Sequence, residues 1–122
     1  MSTQFREAAE RQEFVLPWCA ACNKAFWYPR PVCPACLSDE IEYRPASGDG
    51  TVYAVSVQHK PGPMRDAADG PYPVVLVDLP EGVRVMGNVL GCPPDAVEVG
   101  MAVRATWESR ENGRNVLQWE LP

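Results

Sequence analysis

Three observations predict a mainly β fold for this chain of 122 residues. Two Cys-x-x-Cys pairs, Cys19/Cys22 and Cys33/Cys36, stand ten residues apart near the N-terminus. From Thr51 onward the apolar residues recur with a period of two. Thirteen prolines and nine glycines cut the chain into short segments joined by turns. The fold that accommodates all three is a short N-terminal helix over residues 1–15, a rubredoxin-like zinc ribbon over 16–45 and a five-stranded OB-type barrel over 46–122.

Residues 3–14 read as the helix, because Phe5, Ala8, Ala9 and Gln12 share one face at i, i+3, i+4 and i+7. The stripe is narrow and a helix of about twelve residues is marginal alone in water. It must therefore dock, on its own domain or on another chain.

The ribbon segment is too small to bury an adequate core, so a bound ion would substitute for one. A Cys-x-x-Cys turn places two sulfurs close enough to share an ion, and two such turns supply the tetrahedral thiolate set of a closed structural zinc site. Cys19, Cys22, Cys33 and Cys36 are the expected ligands. Three other readings compete. Disulfides fit poorly, because the N-terminus has no apolar signal segment and points to a reducing, cytoplasmic setting. A redox Cys-x-x-Cys occurs once, beside a βαβ pattern absent here. Iron suits four sulfurs as zinc does, so a rubredoxin-like electron carrier stays open. Trp18, Phe26, Trp27 and Tyr28 surround the pairs and are expected to pack over the metal knuckles. Pro31 and Pro34 lack an N–H, so other amides must solvate the sulfurs.

The barrel strands follow a turn-rich linker at 45–50. Residues 51–59 alternate, with Tyr53, Val55 and Val57 assigned to the inner face. The continuous apolar run at 74–79 suits a central strand, and Pro80-Glu81-Gly82 turns it back into 83–90. A break at 91–96 carries one helical turn after its prolines. Met101, Val103, Ala105 and Trp107 then alternate with polar neighbours, and Asn112-Gly113 marks a hairpin. Leu117, Trp119 and Leu121 close the pattern. An interruption between the third and fourth strands is what a five-stranded Greek-key barrel requires; an SH3-like barrel or a small sandwich is the alternative topology.

Composition narrows the function. The formal charge is −5 and the pI about 4.8. That acidity argues against a nucleic-acid partner, since phosphate binding needs a basic face. A single-stranded nucleic-acid module is kept only because ribbons joined to barrels often serve that purpose. No run of about 18 apolar residues exists to span a membrane. There is no nucleophile elbow and no phosphate-binding loop, and Cys92 lacks a base partner nearby. The one histidine, His59, is expected to be half-buried at a strand end. The long irregular stretch 60–73 joins the first two barrel strands, and loops of that length are commonly functional. It places Lys60 and Arg65, with His59, as candidate ligand contacts.

An ordered set of motifs resembles the bacterial and archaeal zinc-ribbon/OB-fold proteins associated with acyl-CoA metabolism. The set comprises Phe5-Arg-Glu, Cys19-x-x-Cys22, Tyr28-Pro29-Arg30, Cys33-Pro-x-Cys36, Gly48-x-Gly50-Thr-Val-Tyr53, Pro73-Val-Val-Leu-Val-Asp-Leu79 and Gly100-Met-x-Val103, and it covers nearly the whole chain. The resemblance implies a non-catalytic subunit that stabilises a thiolase-like aldolase or thiolase, helps hold its acyl-CoA, and in some members serves steroid side-chain degradation. It implies a heterotetramer as the assembly and a hot-dog-fold enoyl-CoA hydratase as the alternative partner. The four cysteines carry over as zinc ligands, and no catalytic residue does. One departure is Asn23, where many members have glycine; asparagine also tolerates the left-handed region.

Overall fold

The computed structural model describes residues 3–59, 70–110 and 113–122. Its elements are one helix, α1 (Thr3–Glu10), and eight strands: β1 (Val15–Cys19), β2 (Lys24–Ala25), β3 (Ile41–Pro45), β4 (Asp49–Gln58), β5 (Tyr72–Asp78), β6 (Arg84–Leu90), β7 (Ala102–Ser109) and β8 (Asn115–Glu120). A 3₁₀ turn, Pro94–Ala96, separates β6 from β7. The mainly β architecture, with an N-terminal cysteine ribbon and an OB barrel, agrees with the pattern read from the sequence.

Helix α1 is shorter than the expected span of 3–14. Its end is set by a Schellman motif: the Gln12 amide donates to the Ala9 carbonyl at 2.9 Å and the Glu13 amide to the Ala8 carbonyl at 2.9 Å, with Gln12 at φ 56°. Gln12 therefore leaves the helical face to which its spacing assigned it. Phe5 and Ala8 pack with Val15, and Phe5 meets Trp27 edge-on at 5.4 Å between ring centroids. The helix thus docks on its own chain. Trp27 packs toward α1, which differs from the expectation that it covers the knuckles. Asn115, 106 positions away, donates to the carbonyl of Ala9 at 3.0 Å and reaches that of Glu10 at 3.4 Å. It supplies a donor to carbonyls that the helix end cannot fully satisfy itself. Asn115→Ala is expected to lower stability by about 1 kcal/mol, read as a shifted urea midpoint at unchanged slope.

The first sheet is antiparallel in the order β2-β1-β3, with all five residues of β1 paired to β3. The second closes into a barrel in the order β4-β5-β6-β8-β7, β4 returning to pair with β7. Inward residues follow the period-two expectation on β7 (Val103) and on β8 (Trp119), both buried; on β5 the continuous apolar run alternates in burial, with Val75 and Val77 inside. Strand β4 departs from it. A bulge shifts the register between Val52 and Ala54. The extra residue inverts the alternation, so Val52 is buried while Val55 still packs against the core. Tyr53, assigned to the inner face with Val55 and Val57, instead lies outside at 49% exposure. The Arg84 guanidinium stacks on its ring 3.5 Å from the centroid and is held by Asp78 at 2.6 Å.

The β6–β8 seam is the only parallel pairing among the described strands and holds two residue pairs, Val89 with Trp119 and Leu90 with Glu120. Next to it the Gln118 side chain bridges β8 to β6 and β7. Its Oε1 accepts from the Asn88 amide at 2.7 Å and its Nε2 donates to Glu108 at 3.1 Å, with Gln118 4% exposed. Asn88 Nδ2 in turn reaches the Pro73 carbonyl at 3.3 Å. Gly87 sits opposite. A Cβ there would lie 2.9 Å from Trp119 Cδ1, so only glycine lets the indole close the barrel.

Candidate metal centre

Strand β1 ends in Cys19, and the chain turns at once. The Asn23 amide donates to the Cys19 carbonyl at 2.7 Å, and the Cys22 amide donates to Cys19 Sγ at 3.3 Å. The second pair repeats the design: the Leu37 amide donates to the Cys33 carbonyl at 2.9 Å and the Ala35 amide to Cys33 Sγ at 3.4 Å. Each turn is completed by a left-handed residue, Asn23 at φ 56° and Leu37 at φ 63°. As the prolines required, the sulfurs are solvated by the amides of neighbouring positions. Asn23 suits its place, and its Oδ1 also accepts from Arg44 at 3.4 Å. Leu37 does not: a leucine in that region costs on the order of 1–2 kcal/mol, and this one is also 75% exposed. Its position after Cys36 mirrors that of Asn23 after Cys22, a signal present in the sequence.

The four expected ligands converge. The sulfurs of Cys19, Cys22, Cys33 and Cys36 all lie within 4.8 Å of one another, with Cys19 and Cys36 at 3.6 Å. A tetrahedral ion bonded to sulfur at about 2.3 Å holds its sulfurs about 3.8 Å apart, so the donor set fits a metal of that kind. All five cysteines are free. Cys92, the fifth, packs partly buried against the barrel core, and burial pushes its thiol pKa up, away from nucleophilic use.

Without metal the four thiols are electrostatically unequal. The Cys36 and Ala35 amides directed at Cys33 pull its pKa down to about 7, against the opposing effect of burial. Cys22 is pushed up to about 12, chiefly by hydrogen bonding with Cys36 and Cys19. A metal binds thiolates, so uptake expels protons and acid opposes it. Below pH 7 the Cys33 proton must also be displaced. Apparent affinity is therefore expected to fall as pH falls, and more steeply below about pH 7 than above it. Chelator competition at pH 6, 7 and 8 measures this.

The other candidate contacts are placed less completely. His59 follows β4 and is exposed, which corrects the half-buried position expected for it; β4 ends at Gln58, so no ladder encloses the ring. Lys60 and Arg65 lie outside the described residues. Arg44 had no assigned role. Its guanidinium lies 4.7 Å from the Trp18 ring centroid, beside the first ligand, and is bound to Glu42 at 2.8 Å.

This geometry defines the class: a four-cysteine ribbon built onto an OB barrel. The family model of the ChsH2 rubredoxin-like zinc ribbon domain matches residues 6–42, and that of the ChsH2 C-terminal OB-fold domain matches residues 43–108. The chain belongs to this ChsH2 family of zinc-ribbon and OB-fold proteins, also called DUF35. It is 32% identical to a DUF35 domain-containing scaffold protein of Methanocaldococcus jannaschii, over 89% of this chain and 78% of that protein. It is 41% identical to a probable enoyl-CoA hydratase alpha subunit of Thermomonospora curvata over 83% of this chain, but spans only 31% of that subunit's length. With the 3-oxo-4,17-pregnadiene-20-carboxyl-CoA hydratase alpha subunit of Mycobacterium tuberculosis it shares 42% identity over 63% of this chain and 25% of that one. Among solved structures, a chain of the Ltp2-ChsH2(DUF35) aldolase superposes with a TM-score of 0.83 at 34% identity, covering 97% of this chain and 91% of that one.

Proposed function

We propose that the chain is a non-catalytic accessory subunit that binds and stabilises a thiolase-like acyl-CoA aldolase or thiolase and helps shape its acyl-CoA channel. The observation that carries this reading is the match, over nearly the full length of both chains, to a component of the Ltp2-ChsH2(DUF35) aldolase. In this reading zinc is held by Cys19, Cys22, Cys33 and Cys36 and serves as structure, which leaves the chemistry to the partner. The exposed apolar side chains Tyr28, Val32 and Leu37 support a protein-facing role for the ribbon. The assembly is a cytoplasmic heterotetramer with two copies of each subunit, and the acyl group is a steroid side chain. His59, Lys60 and Arg65 border the channel, the two cations facing CoA phosphates.

The hydratase relatives favour a second reading, in which the partner is a hot-dog-fold enoyl-CoA hydratase. This chain spans 31% and 25% of the length of those subunits.

Co-expression with a thiolase-like partner from the same source tests the proposal. The expected result is a stable complex that cleaves or forms the acyl-CoA, while the isolated chain turns over none. Lys60→Ala with Arg65→Ala should raise the KM of the complex for acyl-CoA. Failure to form a complex, or turnover by the isolated chain, overturns the proposal; an unchanged KM removes the two cations from it.

A further inference from the structure

Strand β1 carries residues of three different environments within five positions. Val15 belongs to the cluster beneath α1, Leu16 is fully buried in the barrel core with Val75, Val77 and Trp119, and Cys19 is a buried member of the thiol cluster. Just before it, Phe14 meets Trp119 edge-on at 6.2 Å between centroids, and the Phe14 carbonyl accepts from the Ala46 amide at 2.9 Å, where the chain leaves the ribbon for the barrel. The link between β6 and β7 is reduced to the 3₁₀ turn Pro94–Ala96, which buries none of its own residues, with Val97 buried just after it. The core is thus completed by side chains of the cysteine-bearing segment.

We infer that metal occupancy of the ribbon and packing of the barrel are one coupled equilibrium, transmitted through β1. The far end of β1 is paired on both sides, Trp18 and Cys19 to β2 and to β3, and each of those neighbours follows directly from a stretch that carries one Cys-x-x-Cys turn, so the ion that joins the two turns also joins the partners of β1. Removing the ion releases Cys19. The register of β1 then loosens, and Leu16 and Phe14 withdraw from Trp119. By reciprocity, metal binding and barrel packing shift one another by the same factor, so weakening the Leu16 packing weakens metal binding by up to that factor. The fold thereby contains a metal-sensitive latch acting on the barrel, and with it on the surfaces the barrel offers a partner. This rests on the ribbon holding a metal; it does not depend on which enzyme is the partner.

The test uses the full chain, loaded with zinc or stripped with a chelator, and reads hydrogen exchange over β5 and β6 by mass spectrometry. Stripping is expected to speed exchange of the Val75 and Val77 amides by about 5- to 150-fold, with wholesale unfolding as the strong limit of the same coupling. Leu16→Ala should weaken zinc retention in chelator competition measurably, by up to the same factor. Phe14→Leu provides the same reading if Leu16→Ala does not fold. A chain that binds zinc, yet shows unchanged barrel exchange when stripped and unchanged zinc affinity in both variants, overturns the coupling alone. A chain that takes up no metal overturns the metal assignment along with it.

Discussion

Cys19→Ser is expected to abolish stoichiometric metal retention and unfold the ribbon, measured by metal analysis of the purified chain and by loss of near-UV circular dichroism. The reason is one of scale. A structural zinc in a small finger contributes about 10–16 kcal/mol of apparent binding free energy, which is folding free energy there. The ribbon has little apolar interior to offset its loss. A hydroxyl keeps the shape of the site but not the thiolate, and Cys19 is both fully buried and central to the three-stranded sheet. Cys92→Ser is the control. That residue packs against the barrel and stands outside the four-sulfur cluster, so metal content should be unchanged. Equal metal content in both variants would remove the cluster from the account.

Trp119→Ala should destabilise the barrel by about 3–5 kcal/mol. Against a total stability of about 5–15 kcal/mol, that brings a domain close to its limit. The indole is fully buried, is approached by Phe14 from the ribbon side, and occupies the space that Gly87 leaves vacant. Core residues of its cluster such as Val75, Val77, Val85, Val89 and Val103 belong to paired strands, which limits collapse into the cavity. Trp119→Phe retains most of the contact and should cost less. Tyr53→Ala gives the contrast. That ring lies outside and loses mainly the Arg84 stacking, worth about 0.5–1 kcal/mol at an exposed site. Chemical denaturation of the three variants ranks them, and a Trp119→Ala midpoint near that of Tyr53→Ala would contradict the assigned core.

Much of this was legible in the sequence, for identifiable reasons. The metal cluster was, because ligand spacing within a Cys-x-x-Cys turn is a local property that needs no knowledge of the rest of the fold. Strands β7 and β8 were, because one face of each meets the core and the hydrophobic period survives, and β5 was, because its apolar run is unbroken. Strand β4 was misjudged at Tyr53, since a bulge inserts one residue and leaves no mark in the hydrophobic pattern. The end of α1 was misjudged because a glutamine, which has no special preference for positive φ, closes it. His59 was misjudged because β4 ends one residue earlier, at Gln58, and a residue past the ladder need not keep the alternation of the strand. The contact of Phe14 with Trp119, and the place of Leu16 in the same core, span about a hundred positions, and no local rule predicts them.

The lone glutamine wedged beside the parallel strand pair has a mechanical consequence. A cylinder laced by five to seven rungs on three sides, by three on the fourth and by two on the fifth has a built-in zipper, with Gln118 as its clasp. Under rising temperature or tension it should part there first and unroll into a flat ribbon. Replacing the clasp with an apolar residue of similar size would lower the threshold for unrolling, and would also remove the hydrogen bond from Gln118 to Glu108 on β7.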